Sequence, residues 1–271
     1  MSTTLFLEAF GRLSGPATID SREEDLHSVF RERAELMHWA TTYNDHPLLW
    51  SMEEAEITAD TDPHRIGWVQ VGLDVNDFEP ARPSSGPVQG WAYAPLAVHR
   101  RAIEPSLALP ALVQCFHDAL SRFGIVDMEG IQVTVSYLDA EPQPCLGYLV
   151  SVLNWFNTAA DTRAEAIVAF DENFLGGHAE AELLGNLQWR NTGQFDFGPV
   201  VTAPGQHSIR IGAETPIRSI SPARSGLGIS VTLPEWTPSA AGWVLASVVD
   251  AARLINPNAT DFALRLTRVQ G

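Results

Sequence analysis

Gly176, Gly177, His178, Glu180 and Glu182 form the chain's tightest grouping of side chains able to bind a divalent metal or move a proton. In a strand, His178, Glu180 and Glu182 would share one face; in a helix, His178 and Glu182 would lie one turn apart. Imidazole beside carboxylates is a metal-ligand or acid–base set. No second histidine follows at ligand spacing, and the run also reads as the solvated start of an Ala/Glu-rich helix. No metal and no cofactor is assigned. His117 and Asp118 make a second pair. A metal phosphohydrolase would use such a doublet, together with further histidines and an aspartate for which the sequence offers no clear counterparts. The competing reading is a histidine at the rim of an amphipathic helix. Asp45 and His46, next to Pro47, suit a turn.

Nucleophilic chemistry finds little support. There is no Gly-x-Ser-x-Gly elbow, and Ser225 before Gly226 and Gly228 misses that spacing. Cys115 falls on or near an apolar helix face, which raises a thiol pKa. A triad assembled from distant residues stays open, because such groups meet only in space. No Gly-x-Gly-x-x-Gly joins a strand to a helix, which argues against a dinucleotide site. Asn258, Ala259 and Thr260 match a glycosylation acceptor, which has no meaning in a cytoplasmic chain. All 17 basic residues are arginine. Without lysine there is no pyridoxal Schiff base, no phosphate loop of the Gly-Lys-Ser/Thr type and no kinase-like strand lysine.

A net charge of −16 repels phosphate backbones, so nucleic acid and anionic membrane are not expected as partners. The same charge attracts a basic protein or a cationic ligand, or serves solubility alone. Eight tryptophans are the other resource. They pack cores, but where partly exposed they anchor interfaces. Trp189 beside Arg190, and Trp236 beside Glu235, are the candidate ligand- or partner-binding residues.

These residues need elements to hold them. Ser21 and Glu24 match a capping box, and the apolar spacing after it predicts a helix over about Arg22 to Thr42. Strands are predicted over Ile66 to Val75 and Val88 to Val98, with Pro95 indicating an edge or a bulge. A helix over Pro105 to Phe123 and a strand over Ile131 to Leu138 complete the first half. Strands over Ala164 to Phe170, Ser208 to Gly212 and Leu227 to Leu233, a helix over Pro238 to Ile255 and a strand over Phe262 to Val269 make the second. One constant offset carries Pro105, Ser106, Ala108, Leu112, Ala119 and Thr134 onto Pro238, Ser239, Ala241, Leu245, Ala252 and Thr267. The shared order of elements suggests a structural duplication of a strand-helix-strand unit.

The expected class is α+β, a mostly antiparallel sheet with about three main helices, because parallel crossovers would need a helix between nearly every strand pair. The expected organisation is an N-terminal helical segment over 1–60, a first α+β half over 61–150 and a second over 151–271, separate or fused. The seam between the halves is then the natural ligand site. No apolar run reaches the roughly 18 residues of a membrane span. Two cysteines and no basic apolar leader point to the cytoplasm. The functional expectation is an acidic non-catalytic binding protein for a basic partner protein or small ligand. The alternatives are a cofactor-independent small-molecule enzyme using His178 or His117 with carboxylates in an aromatic-lined cleft, and a structural subunit of an assembly. The oligomeric state is not fixed by sequence.

Overall fold

Alternation of apolar and polar residues runs through the long strands, and in the structure it resolves into one face of a single sheet. The computed structural model describes residues 3–14, 29–30, 32–33, 36, 70–73, 88–96, 109–122, 125–136, 163–170, 174–175, 180–190, 194–202, 227–258 and 262–269. Among them are strands β1 (Thr3–Ser14), β2 (Gln70–Leu73), β3 (Val88–Leu96), β4 (Ile125–Ser136), β5 (Ala164–Phe170), β6 (Asp196–Thr202), β7 (Leu227–Leu233) and β8 (Phe262–Arg268). Also among them are helices α1 (Leu109–Leu120), α2 (Glu180–Arg190) and α3 (Pro238–Ile255). Val29, Phe30, Glu32, Arg33 and Leu36 are also helical, inside the helix predicted from the capping box.

The strands form one 8-stranded sheet in the order β2-β3-β1-β4-β8-β5-β7-β6. Every pairing is antiparallel. The fold is α+β, as the spacing of elements predicts. Each half runs strand, helix, strand, strand, helix, strand, the split β-α-β arrangement. Read from its outer edge inward, the first half is β2-β3-β1-β4 and the second is β6-β7-β5-β8, the same order with corresponding members.

Leu7, Ile131, Val133, Val168, Leu264, Leu266, Ile229 and Val231 alternate along their strands and are buried in one core cluster with the apolar sides of the helices. Leu112, Val113 and Phe116 from α1 and Val244, Leu245 and Val248 from α3 belong to the same cluster. Phe170, Phe174 and Phe262 add tilted ring contacts at 5.7 and 4.8 Å. Helix α3 starts as its sequence dictates. The Thr237 side chain accepts the Ala240 N–H at 3.2 Å, and Pro238 fills the first turn.

Two glycines are fixed by geometry. Gly11 has φ +144°, and a Cβ there would stand 2.1 Å from the Asp127 carbonyl oxygen, at the register shift between Phe10 and Gly11. A Cβ on Gly242 would meet Pro110 Cα at 2.6 Å, so α1 and α3 pack backbone to backbone here. The offset that takes Thr134 onto Thr267 also takes Leu109 onto Gly242, so the helices touch at corresponding positions.

Some predictions differ from the structure. Residues 3–14, expected within an N-terminal helical segment over 1–60, form a strand between β3 and β4, so the first half of the sheet draws on the chain from residue 3. Strand β4 begins at Ile125, earlier than alternation suggests. Strand β6 was not anticipated, and helix α2 corresponds to the reading of the Glu180–Glu182 run as the solvated start of an Ala/Glu-rich helix. The strand predicted over Ser208 to Gly212, and the Asp45–His46 turn, lie outside the described residues.

Candidate functional site

Helix α2 decides the fate of the Glu180 and Glu182 pair. Both carboxylates stand in its first turn, where they offset the positive end of the helix dipole. Two positions apart on a helix, they point in different directions and cannot share one ion. His178, Gly176 and Gly177 lie outside the described residues. Among the described residues no group of three His, Cys, Asp or Glu side chains is arranged to hold a metal.

His117 and Asp118 are both on α1, and their polar atoms serve different neighbours. Asp118 accepts the Arg33 Nε at 2.7 Å and the Gln114 Nε2 at 2.7 Å, and Arg33 NH2 also lies 2.7 Å from its carboxylate. His117 Nδ1 lies 3.4 Å from the Ser121 hydroxyl, which itself donates to the His117 carbonyl at 2.8 Å. Burial holds the His117 pKa below its ordinary value, against an opposing pull from Asp118. A neutral imidazole facing a serine one turn away, with the carboxylate engaged by arginine, is a tertiary clamp between the first helical region and α1. Cys115 is free and buried on the same helix; burial first, then Asp118, pushes its thiol up to about 12.

The aromatic candidates divide. Trp236 is half-buried and its indole N–H donates to the Met128 carbonyl, while Glu235 accepts from Thr237 Oγ1 at 3.2 Å. This pair joins the β7–α3 connection to β4. Trp189 is 70% exposed. It ends a stripe of exposed positions, Ala181, Glu182, Gly185, Gln188 and Trp189, while Leu183 and Leu187 on the other side of α2 are in the core. Arg190 is the last residue of the helix. Leu36, on the first helical region, is 76% exposed.

A third constellation escaped the sequence reading. On the sheet face opposite the helices, Glu8, Gln132 and Arg265 stand side by side on β1, β4 and β8, since Glu8 pairs with Gln132 and Gln132 with Arg265 in register. All three are buried, at 3, 5 and 8% exposure. Gln132 Nε2 donates to Glu8 Oε2 at 2.9 Å, and the Arg265 guanidinium carbon sits 4.1 Å from the centre of the Phe10 ring. Gln132 and Arg265 are also related by the offset that links the two halves, so they mark the seam. A lone glutamine and arginine inside alternating strands carry no motif, which is why spacing alone did not single them out.

No family model, no curated protein and no solved structure matches the chain.

Proposed function

We propose that this chain is an acidic, non-catalytic binding protein for a basic partner protein, docked on the exposed side of α2 with Trp189 as its anchor. The observation that carries the reading is a tryptophan left 70% exposed at the end of a helix whose other side is built into the core. Tryptophan is the side chain most enriched at energetic centres of interfaces, and a helix fixed from behind presents it without further ordering cost. The net charge of −16 supports a basic occupant, through attraction at long range and repulsion of acidic competitors. The commitment of Asp118 to Arg33 removes one motive for the acid–base alternative.

The proposal extends to origin and place. The matching strand order of the two halves supports descent from one duplicated unit; inter-strand amide contacts by NMR that put β2 or β6 elsewhere in the sheet would contradict it. The free, buried Cys115 agrees with a reducing compartment, here the cytoplasm, which cell fractionation checks. Among the described residues no helix is long and apolar enough to cross a membrane.

The test is co-purification from native extract at low salt, with wild-type chain and Trp189→Ala as parallel baits. A basic protein held by the first and lost from the second is the expected result. Equal capture by both baits, or capture of acidic proteins only, overturns the proposal.

A further inference from the structure

The polar row on the seam holds unfilled hydrogen-bonding capacity in a place where it is costly. Gln132 is 5% exposed, and its Oε1 is buried with no hydrogen-bond partner. A buried acceptor left unmatched is destabilising, because it has lost water and gained no partner. Arg265, directly opposite in register, is 8% exposed; its guanidinium stacks on Phe10 and makes no hydrogen bond or ion pair among the described residues. An arginine carries five N–H donors in a rigid fork, matched in shape to a carboxylate. Gly130 is the register partner of both Phe10 and Thr267, and with no side chain it leaves open the path by which Arg265 reaches the ring. Burial lowers the Arg265 pKa, and Glu8 opposes that shift.

We propose that Arg265, Gln132 and Glu8 form a binding site at the seam for a small amino carboxylate, a zwitterion of the α-amino acid type. Its carboxylate takes the free fork of Arg265, and its ammonium donates to Gln132 Oε1 beside Glu8. The two unmatched groups select this class. A simple anion would answer only the Arg265 fork and a simple cation only the Gln132 acceptor, whereas a zwitterion answers both. The site lies on the opposite sheet face from the helices and is independent of partner docking on α2. Residues at the junction of two halves are a common place for small-molecule sites.

Calorimetry and thermal melting of the full chain with glycine, L-alanine and L-leucine, against acetate and methylammonium as half-ligands, provide the test. Saturable binding and a raised melting temperature are expected for at least one amino acid, and neither for the half-ligands. Gln132→Met removes the unmatched acceptor together with the Nε2 bond to Glu8; the variant is expected to melt lower than wild type and to bind the amino acid at least about tenfold more weakly. Arg265→Lys keeps the charge and loses the fork, with a similar loss of affinity. No saturable binding of any of the three amino acids up to about 20 mM, where a contact set of this size should register, overturns the proposal. So does acetate binding as tightly as the amino acids, or unchanged affinity in Gln132→Met.

Discussion

Asp118 shows how a residue pair that looks catalytic becomes structural. Its carboxylate is gripped by Arg33 across 85 residues of sequence, and that partner is visible only in three dimensions. Asp118→Ala should therefore lower stability by about 1 kcal/mol, a value moderated by the partial exposure of Arg33, as read by urea denaturation. His117 supplies a pH dependence with a defined sign. Its folded pKa is depressed below 6.5 by burial, so in the window beneath 6.5 the unfolded chain binds the proton that the folded chain refuses. Its contribution is complete above pH 6.5 and is lost as pH falls through that window. His117→Gln should flatten the decline in unfolding midpoint between pH 6.5 and acid, while an unchanged slope would count against a buried neutral imidazole. Cys115, pushed up to about 12, should resist alkylation by iodoacetamide in the native chain and react after unfolding, followed by peptide mapping. The sequence placed Cys115 on an apolar helix face, and its burial was readable there. The Glu8–Gln132–Arg265 row was not, because its members meet only through strand register.

At the scale of elements, two glycines in helices separate packing from propensity. Gly242→Ala drives a Cβ toward the Pro110 backbone and should cost about 1–3 kcal/mol, since neither helix backbone can yield cheaply. Gly185→Ala, on the exposed side of α2, meets nothing within 4 Å and should stabilise by up to about 1 kcal/mol through helix propensity. Opposite signs in thermal melts are the expected outcome; equal effects would refute the close crossing of α1 and α3. The same contrast explains which elements could be read. Helix α3 and strands β5 and β7 match their predicted limits because cap, apolar periodicity and alternation agree there. Strand β1 was missed because register shifts beside Phe10 break its alternation. Strand β6 carries Gly198 and Pro199, ordinary turn signals, and tolerates the proline because it lies at the sheet edge. Helix α2 is short and weakly apolar, with Gly185 in its interior and two glutamates at its start, so the sequence showed its solvated start and not its extent.

Across the whole molecule, the order of elements hinted at two similar halves, and the sheet gives both halves the same strand order joined through β4 and β8. What sequence could not place was the consequence of that join, a row of buried polar groups on one face of the seam and an exposed tryptophan helix within the second half. Global charge has its own test. A surface of net −16 attracts a basic partner over a range that salt shortens, and Trp189 adds a contact that salt does not screen. The most direct measurement is therefore the affinity of the basic protein captured from extract, titrated against wild-type chain and Trp189→Ala over a series of salt concentrations. The account predicts affinity that falls steadily with salt for both proteins, with the variant weaker by at least about tenfold throughout, the loss of one anchoring side chain. Affinity indifferent to salt, or curves that coincide for wild type and variant, would contradict it.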